Sequence, residues 1–150
     1  MRKFLYKIMM AALTLAAMAG CQKEDDRVME MLAGDWHYSG TEQGVEIDVW
    51  MSFHADGTFD MWQKAGEGAY WYSAGVFDVD VQKSLLTGVY EDKCPWRYDY
   101  KYKVSGSSLT LSAVGEESHS YTYAKGTVPA EVIEKSLPLT RAAEGFVPFL

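Results

Sequence analysis

The chain has 150 residues, 48% hydrophobic and 14% aromatic, with a formal net charge of -7. That length suits one domain with a real core, and a charged fraction of 23% beside so many aromatics speaks against disorder. A pI of about 4.9 speaks against nucleic acid as a partner, which would call for a basic patch.

The chain opens on Arg2, Lys3 and Lys7, followed by an apolar run from Ile8 to Ala19 and then Gly20 and Cys21. The run is too short to span a bilayer with these flanks. It reads as a secretory signal over residues 1–20, which fold reasoning leaves out. Met18-Ala19-Gly20-Cys21 resembles the bacterial lipobox, with Met18 in place of the usual leucine. The resemblance implies cleavage between Gly20 and Cys21, and diacylglycerol and palmitate on Cys21. It places the protein at the outer membrane through its lipid. The plain alternative is an ordinary buried cysteine in a helix. Acyl chains contribute about 0.8 kcal/mol per buried CH₂, so two or three chains anchor a protein stably.

Gln22-Lys23-Glu24-Asp25-Asp26 is a solvated tether. Its Lys23, Glu24 and Asp25 also resemble the export signal that carries lipoproteins of some Gram-negative bacteria to the cell surface. Without residues 1–20 the chain keeps 11 basic and 21 acidic side chains, a net -10. Such a body is repelled by an anionic membrane, so the lipid must do the anchoring. One thiol, Cys94, remains, so an intramolecular disulfide is excluded and the fold relies on its core. Beside Pro95, Cys94 reads as a small buried or turn residue.

Residues 24–32 carry a weak helical pattern, with Val28, Met31 and Leu32 on one side, and suit a plug under a barrel. The lipidated tether and this helix take up residues 21–31, and the domain runs over 32–150. From Trp36 onward the apolar period is two. Val45, Ile47, Val49, Met51 and Phe53 share one strand face. Trp96, Tyr98, Tyr100, Tyr102 and Val104 share another, with Arg97, Asp99, Lys101 and Lys103 opposite. Shorter strands are expected near 58–64, 68–80, 84–90, 108–114 and 119–125. Ala55-Asp56-Gly57 suits a three-residue hairpin loop with Gly57 at positive φ. The sum is an all-β, up-and-down antiparallel barrel of about eight strands, whose closure removes exposed edges. A short helix is expected at 129–135, with Pro129 in its first turn. The tail Gly145-Phe146-Val147-Pro148-Phe149-Leu150 is too apolar to dangle in water.

Leu32-Ala33-Gly34-Asp35-Trp36 resembles the Gly-x-Trp signature of lipocalins. Phe53-His54-Ala55-Asp56-Gly57-Thr58-Phe59 and Leu109-Thr110-Leu111 are similar to segments of small bacterial lipocalin-like lipoproteins. The resemblance implies that Trp36 closes the base of the barrel, packed by a late cation for which Arg141 is the candidate. It implies a fold far more than a ligand.

For chemistry the sequence offers little. His37, His54 and His119 show no metal-ligand spacing, so no metal or other cofactor is expected. No nucleophile elbow or phosphate-cradling glycine loop occurs, so no catalytic residue is assigned and a binding role is expected. His37 and His119 would meet only if the first and last strands bring them together.

Tyr98, Tyr100 and Tyr102 are the candidate lining of a cup for a small apolar molecule. Large rings equally suit a filled barrel. The loop at 55–57 puts Trp50 opposite Trp62 on the outer face, beside Asp48 and Asp60. Such a pair either stabilises the hairpin, by about 0.2–1 kcal/mol, or serves as a platform for carbohydrate or a protein partner. A third reading is an acidic inhibitor or assembly factor for a basic protein.

Overall fold

The computed structural model describes residues 24–139 and 149–150. The calls on Gly20, Cys21, Lys23 and Arg141 therefore lie outside the described residues. Residues 24–32 form a helix, α1. Strands follow at β1 (Gly34–Glu42), β2 (Val45–Phe53), β3 (Thr58–Ala65), β4 (Trp71–Asp80), β5 (Leu85–Tyr90), β6 (Tyr100–Ser105), β7 (Ser108–Ala113) and β8 (Ser120–Gly126). Each pairs antiparallel with the next, and β1 pairs with β8, so eight strands close an up-and-down barrel. Helix α2 (Ala130–Lys135) runs outside the wall to β9 (Leu137–Pro138), which adds parallel to β4 at Trp71 and Tyr72.

Alternation decides what faces inward. Val49, Met51, Phe53, Phe59, Met61, Leu86, Leu109 and Leu111 are all buried in one core. Their sequence neighbours Asp48, Asp60, Thr87 and Thr110 point outward, as a period of two requires. The first hairpin has its expected register, with Phe53 opposite Phe59 and Trp50 opposite Trp62. Its turn closes through His54 N–H to the Thr58 carbonyl at 2.9 Å, and Gly57 takes φ +86°.

The base is sealed from below. Trp36 is fully buried, and its Nε1–H donates to the Leu32 carbonyl at 2.8 Å. Leu32 is equally buried, with Val28 and Met29 packed against the same core. Among the described residues a cation from β8 stands over Trp36: Lys125 Nζ is 5.3 Å from the ring.

One strand departs from expectation. The run from Trp96 to Val104 forms a strand only from Tyr100 onward. Residues 91–99 arch away, joined to β5 by a Val89–Pro95 bridge and by Trp96 N–H to the Gly88 carbonyl at 2.8 Å. Pro95 has no N–H for a ladder, and Lys93 sits at φ +71°, so the chain turns back here. Trp96 is nevertheless buried, because Gly88 leaves room for its indole: a Cβ at Gly88 would lie 2.1 Å from Trp96 Cε2.

Gly88→Ala should therefore lower stability by about 1–3 kcal/mol through overpacking, measured by urea unfolding. In a double-mutant cycle, Gly88→Ala should cost much less when Trp96 is already Ala. Purely additive losses would contradict this packing.

Candidate functional site

Two places collect side chains suited to binding: the barrel end opposite α1, and the outer face of β1–β4.

At the open end, β1 and β8 pair only through Asp35, Trp36 and His37 with Gly126, Lys125 and Ala124. Beyond His37 the ladder stops, and aromatic rings fill the widened mouth. Tyr38 meets Tyr121 edge-on at 5.0 Å and lies 5.8 Å from Tyr123. The last two residues also lie here. Phe149 is 4.8 Å from Tyr121 and 5.8 Å from Tyr38, between ring centroids. Its N–H donates to Gln63 Oε1 at 2.9 Å. Leu150 is buried in the core, and its backbone oxygen accepts the Tyr90 hydroxyl at 2.7 Å. A single apolar run has no periodicity to say against what Phe149 and Leu150 pack, and residues 145–148 lie outside the described residues.

The three candidate lining tyrosines separate. Tyr100 is buried, with Tyr98 edge-on to it at 6.3 Å, and Tyr98 also faces His119 at 5.6 Å. Tyr102 lies further down the wall, where burial and then the charges of Asp25 and Asp80 raise its phenol. Tyr98 and Tyr100 thus belong to the mouth group and Tyr102 to the base. Between them the barrel axis is filled by Trp36, Phe53, Phe59, Met51, Met61, Leu109 and Leu111. Tyr123 Oη and Trp96 Nε1 are buried without a hydrogen-bond partner among the described residues.

Burial raises the mouth phenols. Tyr121 is pushed up to about 12, first by desolvation and then by hydrogen bonding to Glu42 and by its charge. Desolvation, then the Glu42 charge, raises Tyr38, and desolvation dominates at Tyr100 and Tyr123.

On the outer face, the strand register writes two rows. One is Asp35–Ser52–Asp60–Ala74 and the next is His37–Trp50–Trp62–Tyr72. His37 stacks on Trp50 at 4.0 Å, and Trp62 lies 5.5 Å from Tyr72. Each carboxylate is shared. His37 Nε2–H donates to Asp48 at 2.6 Å and the Tyr70 hydroxyl donates to its second oxygen. His54 Nε2–H and the Tyr72 hydroxyl donate to Asp60 at 2.7 and 2.5 Å. Asp35 accepts from Ser52 Oγ at 2.6 Å and from Val128 N–H at 2.9 Å. Tyr70 and Tyr72 are raised by desolvation, then by these bonds.

The expected open indole platform is therefore corrected. Trp62 is only 6% exposed, covered by Val128 and by Val132 of α2. What remains open is a groove of about 470 Å³ between α2 and the carboxylate row, lined by Asp35, Asp60, Trp62, Tyr72 and Ile133. His37 and His119 do not meet. His37 pairs across from Ala124 and turns outward to Asp48, while His119 lies beyond β8 beside Tyr98. Gly34, at φ +129°, starts β1 beneath Lys125, and Glu24 and Asp25 are exposed on α1.

Comparison with protein-family models, curated proteins and solved structures finds no match to this chain.

Alkaline titration tests the mouth. The folded chain holds these phenolic protons more tightly than the unfolded chain, whose tyrosines titrate near 10. Stability should thus be level below about pH 10 and fall as pH rises toward 12. Tyrosinate absorbance should climb in a steep step above pH 10 together with loss of near-UV circular dichroism. Full ionisation near pH 10 on an intact fold would contradict the buried cluster.

Proposed function

We propose that the protein is a lipid-anchored cell-envelope binding protein of lipocalin-like fold, taking a small apolar ligand at the barrel mouth. One observation carries the reading. Phe149 and Leu150, an apolar pair outside the wall, sit among Tyr38, Tyr90 and Tyr121. With the base sealed and the axis filled, this is the position an apolar ligand can take. The rings of the lining are uncharged below about pH 10, which suits an uncharged apolar ligand. Binding rather than catalysis fits side chains whose imidazoles and carboxylates are already paired with one another. The anchor rests on the lipobox resemblance at Cys21. Outer-membrane and cell-surface placement rests on that and on Lys23, Glu24 and Asp25.

A neutral lipophilic fluorophore such as Nile red should bind with one-to-one stoichiometry. Tyr121→Ala should weaken it about fivefold or more, roughly 1 kcal/mol, while Trp50→Ala leaves it unchanged. The outer groove supports a second reading, a carbohydrate ligand held by Asp35 and Asp60 against Tyr72. Loss of glycan binding on Asp60→Asn, with Nile red binding insensitive to Tyr121→Ala, would favour that reading.

For the anchor, cells fed radiolabelled palmitate should label the wild type but not Cys21→Ser, which should stay unprocessed. Label retained on Cys21→Ser would rule out Cys21 as the lipid site.

A further inference from the structure

The groove beside α2 holds two carboxylates and, among the described residues, no lysine or arginine paired with either. Asp35 takes both of its hydrogen bonds from uncharged donors, the Ser52 hydroxyl and the Val128 amide. Asp60 takes one from the Tyr72 hydroxyl and one from His54. A carboxylate offers about four lone-pair sites, so each keeps acceptor capacity for a further donor. The two are set in line. Asp35, Ser52 and Asp60 lie side by side on β1, β2 and β3. Two strand spacings therefore separate the acidic Cα atoms, about 9–10 Å. Ser52, between them, is only 5% exposed, so water is largely kept from the strip that joins them.

Most of the remaining lining is apolar or aromatic: Trp62, Tyr72, Val128 and Ile133, the last a half-exposed side chain of α2. At about 470 Å³ the space takes one small molecule. A sugar brings hydroxyl donors but no charge, so it leaves two like charges facing one groove and Ile133 against polar edges. A methylene chain with an ammonium at each end meets both demands. Linking the two ammonium groups makes the second contact intramolecular, which raises affinity without any new wall.

We propose that this groove binds a linear aliphatic diamine, one ammonium on Asp35 and the other on Asp60, with its methylenes against Ile133 and the rings of Trp62 and Tyr72. The proposal goes beyond the mouth reading and does not depend on it; at the groove it competes with carbohydrate.

The probe is cadaverine, titrated calorimetrically into the full chain at low salt, where exposed charge is least screened. It should bind one-to-one, and pentylamine, with the same carbon chain and a single charge, should bind about fivefold or more weakly. Asp35→Asn should bring cadaverine down to the level of pentylamine. Glu117→Gln removes one negative charge from the β7–β8 connection and should leave both unchanged. Ile133→Lys adds a positive charge on an exposed side chain of α2 and should abolish cadaverine binding. Because that position is half exposed, this variant carries the test should Asp35→Asn not fold. Nile red binding at the mouth should be the same in every folded variant, so loss of either activity is read separately.

Equal affinity for cadaverine and pentylamine, or no binding of cadaverine, would overturn the proposal. So would an equal loss on Glu117→Gln and Asp35→Asn, which would mark general attraction to an acidic chain, or undiminished binding by Ile133→Lys. A neutral glycan that binds where cadaverine does not would give the groove to carbohydrate.

Discussion

Barrel closure is the constraint on which the rest depends, and here it is achieved over three residue pairs at one end. Asp35, Trp36 and His37 pair with Gly126, Lys125 and Ala124, and no further. Trp36 lies in the middle of that short seam, bonded below to Leu32 and covered by Lys125. Closing the wall low down makes the base tight and lets the strands diverge above. A divergent barrel end exposes inward-facing apolar side chains unless something fills it. Tyr38, Tyr121 and Phe149 are that filling. The asymmetry between a sealed base and an aromatic mouth thus follows from where the first and last strands meet.

The outer face shows how an acidic chain can spend its charge internally. Asp35, Asp48 and Asp60 each accept two hydrogen bonds from neighbouring groups of the chain. The donors include Tyr70, Tyr72 and Val128, which come from the β3–β4 connection, from β4 and from the segment after β8. These carboxylates therefore tie the connection and the α2 segment down to the β1–β3 face. Charge-assisted bonds of this kind are roughly twice as strong as neutral ones. They also orient the carboxylates before any ligand arrives, which is why the groove beside α2 stays a candidate surface even with Trp62 covered.

Much of the fold was legible from the residues. Period-two alternation marks the strands of the barrel, and the length of the loop at 55–57 sets the Trp50–Trp62 register. Gly-x-Trp marks the base. What was not legible is long-range. Val128 and Val132 are apolar residues of a short segment, and nothing local says that they cover Trp62. Tyr98, Tyr100 and Tyr102 alternate cleanly, yet alternation reports a face and not a height along the barrel, so it cannot separate the two at the mouth from the one at the base. Lys125 stands over Trp36 because antiparallel pairing sets it directly across from the tryptophan, a placement no local pattern signals, while Arg141 lies outside the described residues.

The mouth and the base differ in what they ask of a tyrosine or tryptophan. At the base, the polar atom of Trp36 finds a carbonyl four residues away, so the ring is locked by its own strand and helix. At the mouth, Tyr90 finds its acceptor in Leu150, sixty residues along the chain and reached only after α2 and β9 have returned the chain to the open end. A local partner cannot be lost without unfolding, whereas a distant one can be exchanged for a chemically equivalent group at little cost to the wall. The mouth is thus completed by a segment from far along the chain, at the end of the barrel where the first and last strands no longer pair.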